Sequence, residues 1–186
     1  SKKILKFKKK KIYNFEYLIY SGSYKYFPNK LAIDFIIKNL MPKIVKKYPN
    51  VKLILTGGGY NEKKKFLINA GVVSKAKLLN LIYNSKIVLV PLDQGTGTRI
   101  KIIEAMSIGS RILSTPKGAE GIIFTKQKKN ISIIAKKKDF FQIINRILKN
   151  KHKIHRNISL KNEYLMENIT NEFFKEKHVK NIIKKD

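Results

Sequence analysis

Cysteine and tryptophan are absent from this 186-residue sequence, and acidic residues are scarce, at 12 Asp and Glu against 41 Lys and Arg. The absence of cysteine excludes disulfide bonds and thiolate metal sites, which fits a reducing compartment. No run approaches the roughly 18 apolar residues of a membrane-spanning helix. The N-terminal stretch SKKILKFKKKK lacks the apolar core of a secretory signal, and it begins with Ser. We therefore expect a fragment of a longer protein.

The formal net charge of +29 is the most unusual property of the composition. Such an excess favours attraction to polyanions such as nucleic acid, anionic lipid or phosphorylated ligands. A compositional bias explains it equally well, because Lys, Ile and Asn are heavily used throughout. The hydrophobic fraction of 43% argues against disorder. The length suits one domain with a terminal extension.

Short apolar runs that end in glycines alternate with segments of helical periodicity. The runs FEYLIYSGS, VKLILTGGG and KIVLVPL predict strands, as do the shorter RILST and ISIIA. Helices are predicted over 29–48, where Pro42 kinks or restarts the helix, and over 62–70, 75–85 and 139–150, the last with Asp139 as its N-cap. This alternation indicates a doubly wound parallel α/β sheet.

Three segments are expected along the chain. Residues 1–14 form a basic linker or arm, 15–150 a Rossmann-like domain, and 151–186 a C-terminal helical extension. In doubly wound sheets ligands bind beyond the carboxyl ends of the strands. The turns after the strands are therefore the candidate binding loops.

The most informative turn opens the stretch GTGTRIKIIEAM, Gly95–Met106. A helix that starts near Thr98, with the threonine hydroxyl as its cap, leaves its first amides free and positively polarised. Gly95 and Gly97 allow a phosphate to approach the backbone, and Arg99 and Lys101 add positive charge in the first turn. The pattern predicts an anion-binding helix N-terminus.

Glu104 stands one turn beyond Lys101, about 4.5 Å further along the helix axis and on the same face. Its carboxylate can accept hydrogen bonds from two vicinal hydroxyls, so phosphates at the helix start and a ribose on Glu104 describe a nucleoside diphosphate. Alternatively, Glu104 pairs with Lys101 on a solvated face and Gly95 and Gly97 are ordinary turn glycines. The dinucleotide fingerprint GxGxxG is not met, because Ile100 occupies its last position.

The stretch PLDQGTGTRIKIIEAMSIGSRILSTPKGAEGI resembles the donor-binding segment of family-4 glycosyltransferases of the GT-B fold. Upstream, YSGSYKYFPNKLAIDFIIKNLMPKIVKKYPNVKLILTGGG is similar to the segment that opens their C-terminal domain. The resemblance runs from about residue 17 to 148. It implies the C-terminal, nucleotide-sugar-binding half of a two-domain enzyme whose N-terminal acceptor domain is missing from this chain.

The resemblance also implies roles for single residues. Glu104 would bind the ribose diol, and Arg99, Lys101 and the amides of Thr98 and Arg99 would face the diphosphate. The remaining donor-site positions are Gly22, Ser23, Val72, Val73, Leu78, Gly95, Thr96 and Gly97. The sequence departs from the family at Thr96, where an acid often contacts the donor sugar. It departs again at Ser23 and at Asn29 or Lys30, where the family often has Arg and Lys.

The implied reaction is transfer of a glycosyl group, with retention, from a nucleotide sugar to a glycan or lipid-linked acceptor of the cell envelope. We expect no cofactor and no metal, because the sequence has no DxD motif and His152 and His155 lie in a basic stretch without acids. The expected location is cytoplasmic, at the anionic inner face of the membrane. We expect the isolated chain to bind donor without transferring sugar.

Two other functions remain open from the sequence. A nucleic-acid-binding module would use the positive charge, although no nucleic-acid motif is present and the lysines are spread along the whole chain. A noncatalytic relative would bind a nucleotide sugar without transferring it.

Overall fold

A computed structural model describes residues 10–96, 99–122 and 132–150 of the chain. The strands are β1 Tyr17–Ser21, β2 Lys52–Thr56, β3 Leu67–Asn69, β4 Ile87–Val90, β5 Ile112–Ser114 and β6 Ser132–Ile134. The helices are α1 Phe27–Phe35, α2 Met41–Lys47, α3 Lys75–Asn84, α4 Ile100–Ser107 and α5 Phe140–Lys149. A π-helical segment, Ile36–Leu40, joins α1 to α2, and short 3₁₀ turns cover Lys117–Ala119 and Lys137–Asp139.

The six strands form one sheet in the order β3-β2-β1-β4-β5-β6, and every neighbouring pair is parallel. The chain first adds strands to one side of β1 and then returns to add β4, β5 and β6 on its other side. This is the predicted doubly wound α/β sheet. Its winding reverses between β1 and β4, where a crevice opens at the carboxyl ends of the two strands.

The core surrounds the central strands β1, β2 and β4. Their residues are almost wholly buried, because helices cover both faces of a parallel sheet. Tyr17, Tyr20 and Phe140 are the largest fully buried side chains. Tyr17 keeps its hydroxyl satisfied by donating to the Leu81 carbonyl at 2.8 Å. The two tyrosines of β1 therefore belong to the core, whereas Tyr26 and Phe27 at the start of α1 are exposed.

The predicted helix over 29–48 is instead three consecutive segments, and Pro42 explains the interruption. Proline has no N–H, and its ring collides with the carbonyl four residues earlier in a regular α-helix. The turn before it widens into the π segment, in which the Met41 N–H bonds to the Ile36 carbonyl five residues back. The helix then restarts with Pro42 in the first turn of α2.

The helix predicted over 62–70 is wrong. Residues 61–64 have no regular structure, and Leu67–Asn69 form the edge strand β3 beside Leu53–Leu55 of β2. The cluster of lysines suggested a helix, but the unpaired edge of β2 offers this segment backbone hydrogen bonds. Leu53 N–H bonds to the Phe66 carbonyl at 2.8 Å, and Ala70 N–H bonds to the Leu55 carbonyl at 2.8 Å.

Two predicted helix caps also differ. Helix α4 begins at Ile100, so Arg99 rather than Thr98 occupies the N-cap position, and its side chain makes no capping hydrogen bond. Asp139 does stand at the N-cap of α5, but it lies at the end of a 3₁₀ turn in αR geometry and its side chain caps nothing. A cap acceptor needs an extended backbone to reach the free amides.

Part of the predicted N-terminal arm contacts the domain. The Lys10 N–H donates to Asn80 Oδ1 at 2.9 Å, and Asn84 Nδ2 donates to the Lys10 carbonyl at 2.8 Å. Tyr13 stacks on Phe15 with ring centroids 4.9 Å apart. The rest of the predicted arm and the predicted extension over 151–186 lie outside the described residues. Among the described helices, none is long and apolar enough to cross a membrane.

Candidate functional site

The crevice between β1 and β4 brings together the loops on which the sequence-based prediction depends. Residues 22–26 follow β1 and residues 91–96 follow β4, so both lie at the same edge of the sheet. We call this crevice, with the first turns of α1, α3 and α4, the candidate site. Ligands of open α/β sheets bind at such switch points because the two adjacent loops separate there.

Glycines allow the loops of this edge to touch. A Cβ on Gly57, whose φ is +107°, would lie 2.5 Å from the Gly22 carbonyl carbon. On Gly22 it would lie 2.7 Å from Asn29 Nδ2, and on Gly95 it would lie 3.2 Å from the Pro28 ring. No side chain fits at these positions without displacing a neighbour. The predicted Gly22 and Gly95 are therefore packing positions of the site, whereas Gly97 and Thr98 lie outside the described residues.

Lys101 turns from the first turn of α4 towards β1 and α1. Its Nζ donates to Asn29 Oδ1 at 3.0 Å and to the Tyr20 hydroxyl at 3.1 Å, and it lies 4.4 Å from the centre of the Tyr20 ring. Tyr20 itself donates to Asn29 Oδ1 at 2.7 Å, and Asn29 Nδ2 donates to the Ser23 carbonyl at 3.0 Å. One hydrogen-bond network thus ties Lys101 to the loop after β1.

The charge of Lys101 is costly in this position. Burial, together with a smaller contribution from the neighbouring Arg99, lowers its pKa to about 8, and Glu104 acts in the opposite direction. Burial also raises the pKa of Tyr20 above its ordinary value, so that hydroxyl stays protonated. Among the described residues Lys101 has no ion-pair partner. The site therefore contains a half-buried ammonium group whose hydrogen-bond partners are neutral.

Glu104 is buried, and its carboxylate Oε1 accepts a hydrogen bond from Lys75 Nζ in an ion pair. The alternative in which Glu104 pairs with Lys101 on a solvated helix face is therefore wrong. The two side chains diverge from α4, because Lys101 reaches the Asn29 side and Glu104 reaches the start of α3. Ser74 caps α3 by accepting from the Lys77 N–H at 3.3 Å, which fixes Lys75 opposite Glu104.

Arg99 is also buried, with a relative exposure of 7%. Its Nη2 donates to the Gly95 carbonyl at 3.1 Å and to Glu120 Oε2 at 2.9 Å. Its Nε is sealed from solvent and has no hydrogen-bond partner within the described part of the chain. Arg99 therefore links the loop after β4 to the turn after β5.

The other predicted residues surround this centre. Ser23 is half-buried beside Gly22, and Thr96 is exposed beside Gly95. Val72 is 86% exposed, and one of its methyl carbons lies 3.5 Å from where a Cβ of Gly58 would be. Val73 is half-buried and precedes the Ser74 cap, two residues from the Lys75 that binds Glu104. Leu78 packs against the core from α3.

Four residues that the prediction did not place in the site belong to it by contact: Tyr20, Asn29, Lys75 and Glu120. Asn29 was noted only as a departure from the family pattern. A polar Asn on the buried side of the first turn of α1 was a usable signal. The lysine background concealed Lys75, because nothing in the sequence separates it from its neighbours Lys77 and Lys86.

The acids near the site are each engaged by a cation: Glu104 by Lys75, and Glu120 by Arg99 and Lys117. Throughout the described residues, no group of three His, Cys, Asp or Glu side chains lies close enough together to hold a metal ion. The arrangement offers an anion the half-buried ammonium group of Lys101 and a helix N-terminus, and it offers hydroxyl groups the buried carboxylate of Glu104 one turn away.

Comparison with known proteins places the sequence beside one family. A profile of the family Glycosyl transferases group 1 matches residues 16–150. No protein in a set of curated sequences matches. Among solved structures, the C-terminal domain of a glycosyl transferase group 1 family protein from Francisella tularensis superposes with a TM-score of 0.56 at 14% identity. That match covers 85% of this chain and 86% of that domain.

Two further structures superpose at TM-scores of 0.54. Sucrose-phosphate synthase from Thermosynechococcus elongatus is 16% identical, with 74% of this chain and 37% of that chain covered. A structure described as trehalose-6-phosphate from E. coli bound with UDP-2-fluoro glucose is 13% identical, with 90% of this chain and 44% of that chain covered. At such identities the likeness shows the fold alone. The chain spans well under two thirds of these two relatives.

Proposed function

The chain belongs to the group 1 glycosyl transferases, and we propose that it is the nucleotide-sugar-binding half of a retaining glycosyltransferase. In the proposed reaction the bond from the anomeric carbon to the β-phosphate oxygen breaks, and the nucleoside diphosphate leaves with the electron pair. A hydroxyl of a glycan or lipid-linked acceptor bonds to the same carbon and loses its proton. Retention is carried over from the family resemblance.

One observation carries this proposal. Lys101, a half-buried ammonium with neutral partners, and Glu104, a buried carboxylate, leave the same helix one turn apart at the switch point of the sheet. Taking both charges largely out of water is unfavourable for folding alone. An anionic ligand and a hydroxylated ligand held side by side account for both groups, and a nucleoside diphosphate combines them.

Lys101 and the first amides of α4 would bind the diphosphate. Two negative charges gather on the β-phosphate as the glycosidic bond breaks, so a cation already fixed by Tyr20 and Asn29 stabilises that charge without reorganising. The positive charge of Arg99 adds to the field at the same point. Gly22 and Gly95 let the adjacent loops pack closely, so that their backbone would border the phosphates.

Glu104 would accept hydrogen bonds from the ribose hydroxyls, and the base would lie towards Val72 and Val73. The structure supports this direction, because Glu104 reaches the start of α3 just beyond Val73. Lys75 would hold the Glu104 carboxylate in position until the ribose arrives. A donor sugar would then lie near Thr96 and Ser23.

The proposed reaction requires no metal ion. Lys101 and the start of α4 supply the positive charge that the leaving group needs, and the nearby carboxylates already have cationic partners. The acceptor and the groups that activate it would come from a further domain, which fits a chain spanning 37% and 44% of two structural relatives. The expected setting is the cytoplasmic face of an anionic membrane, where basic residues add affinity.

Binding of nucleoside diphosphates by the 186-residue chain tests the proposal. UDP, GDP and ADP are compared with a short single-stranded oligonucleotide by thermal shift and calorimetry. At least one diphosphate should raise the melting temperature, and Glu104→Gln should weaken its binding by about tenfold or more. A matched control is Glu16→Gln, since Glu16 forms an ion pair with Lys86 at 2.6 Å beside the amino end of β1, the opposite edge of the sheet.

Absence of any diphosphate effect, together with salt-sensitive oligonucleotide binding, would contradict this function and favour a nucleic-acid module. Equal losses in Glu104→Gln and Glu16→Gln would also contradict it. The isolated chain is expected to bind donor without transferring sugar, and sugar transfer by this chain alone would show that the acceptor half is not needed.

A further inference from the structure

Arg99 and Lys101 are adjacent cations of the candidate site, but their side chains are engaged differently. Nη2 of Arg99 has two hydrogens, and both are used, one by the Gly95 carbonyl at 3.1 Å and one by Glu120 Oε2 at 2.9 Å. Its Nε is sealed from solvent. Lys101, in contrast, bonds only to the neutral Tyr20 and Asn29 among the described residues. A ligand phosphate would meet a guanidinium whose Nη2 is already taken by Gly95 and Glu120, and an ammonium group without a counter-ion among the described residues.

Glu120, the partner of Arg99, belongs to a turn that is fixed on the sheet. Lys117 Nζ lies 2.9 Å from Glu120 Oε1 and 2.7 Å from Oε2. The intervening Gly118 donates its N–H to Thr115 Oγ1 at 3.0 Å, and a Cβ on Gly118 would lie 2.5 Å from the Val90 carbonyl oxygen. The turn after β5 is thus packed against the end of β4, and its carboxylate is held by two cations.

The Arg99–Glu120 pair therefore connects two loops that the sheet brings side by side. One end is the loop after β4, which Arg99 holds through its own backbone and through the Gly95 carbonyl. The other end is the turn after β5, which Gly118 anchors. Since α4 begins at the residue after Arg99, the position of this guanidinium sets the direction in which the first turn of α4, and with it Lys101, enters the site.

We propose that Arg99 is a positioning residue rather than a phosphate ligand, and that Glu120 is its essential partner. The pair fixes the loop after β4 so that Lys101 and the start of α4 meet the diphosphate. This inference rests on the proposed function and assigns Glu120 a part in donor binding. The two cations then have different roles, since Lys101 contacts the ligand and Arg99 acts through Glu120.

A double-mutant cycle on the 186-residue chain tests the pair, with calorimetric binding of whichever of UDP, GDP or ADP binds the unmodified chain. The variants are Arg99→Met, which keeps the volume of the buried side chain, Glu120→Ala, and the two combined. Each single variant should weaken binding by about three- to tenfold, and the double variant should be no weaker than Arg99→Met alone. Glu120→Gln keeps an acceptor for Arg99 and should recover most of the loss.

Three results would overturn the proposal. Tighter binding by Glu120→Ala would mean that Glu120 competes with the ligand for Arg99. Losses that multiply in the double variant would mean that Arg99 contacts phosphate independently. Equal losses of nucleotide affinity in Glu120→Gln and Glu120→Ala would show that the hydrogen bond from Arg99 to Glu120 is not what supports binding. Glu120 is more than half exposed, so its two variants are expected to fold. If Arg99→Met does not fold, the comparison of Glu120→Ala with Glu120→Gln still tests the pair.

The outcome is separable from that of the proposed function. If no nucleoside diphosphate binds the unmodified chain, the proposed function fails. If a diphosphate binds and Lys101→Met weakens its binding about tenfold while the Arg99 and Glu120 variants leave it unchanged, the proposed function stands and the positioning pair is wrong.

Discussion

Lys101 changes the charge of the candidate site within an accessible pH range. Its pKa lies at about 8, against an ordinary value of 10.5, so the ammonium that we propose as a diphosphate ligand is lost as the pH rises through 8. Each pH unit above that value lowers the protonated fraction about tenfold. Affinity for a nucleoside diphosphate should therefore fall about tenfold between pH 7 and pH 9, as measured by calorimetry.

The lowered pKa has the opposite effect on stability. The unfolded chain binds the Lys101 proton up to about pH 10.5, whereas the folded chain releases it near 8, so this residue adds stability as the pH rises between those values.

Lys101→Met should abolish the fall in nucleoside diphosphate affinity that is expected between about pH 7 and pH 9. A fall of the same size in Lys101→Met would assign the pH dependence to another group.

Gly57 tests the close approach of the loops after β1 and β2. Gly57→Ala places a Cβ 2.5 Å from the Gly22 carbonyl carbon at a φ of +107°, and backbone cannot move aside as a side chain can. We expect a loss of roughly 3 kcal/mol of unfolding free energy in urea. Gly71→Ala is the control, because its φ is +63° and nothing lies within 4 Å of its Cβ position. It should lose only about 1 kcal/mol, and equal losses would contradict steric contact as the cause.

At the scale of the element, the cap of α3 is a local contact with a consequence for the site. Ser74 Oγ accepts from the Lys77 N–H at 3.3 Å and thereby fixes the turn that carries Lys75 to Glu104. Ser74→Ala should cost about 1 kcal/mol of stability, measured by urea denaturation. Ser74→Asp keeps a capping oxygen and should keep the stability.

The control for this cap is Ser107→Ala, which removes a hydroxyl that donates to the Glu104 carbonyl at 2.8 Å within α4 and caps no helix start. We expect it to change the free energy of unfolding by under about 0.5 kcal/mol. A loss as large as that of Ser74→Ala would show that the serine hydroxyl, and not its capping position, produces the effect.

Elements were predictable where the pattern is local. The apolar runs of β1, β2 and β4 and the apolar faces of α3 and α5 are properties of a few consecutive residues, and the structure confirms them. Strand β3 was missed because three residues become a strand only beside the open edge of β2. The sequence predicted an interruption at Pro42, but it did not predict the π segment before that residue. The form of the interruption depends on how α1 and α2 both reach the core.

At the scale of the whole molecule, the net charge of +29 acts on stability without any single contact. Like charges repel more in the compact folded chain than in the unfolded one, and salt screens this repulsion. The melting temperature should rise by several degrees between about 20 mM and 500 mM NaCl. Calorimetry without nucleotide is the measurement, and a constant or falling melting temperature would show that the lysines are already spaced beyond effective repulsion.

The family and the fold class followed from the sequence, and both are confirmed by the profile match over residues 16–150 and by the parallel sheet. The glycines after the strands, the alternation of strands and helices, and the Gly95–Met106 stretch can each be read from a short run of consecutive residues. The sequence also predicted a helix directly after the strand KIVLVPL, and the structure places the start of that helix, α4, at the switch point. The roles of the residues on it remain predictions.

Only the tertiary structure decided the partners of the charged groups. Glu104 binds Lys75, 29 residues away, Arg99 binds Glu120, 21 residues away, and Lys101 binds Asn29 and Tyr20, 72 and 81 residues away. In a chain with 41 basic residues, no sequence pattern singles out which lysine meets which acid. Local periodicity fixes helices and strands because it involves neighbours in the chain. Ion pairs and hydrogen bonds across the sheet edge depend on neighbours in space, which exist only once the strands have been placed side by side.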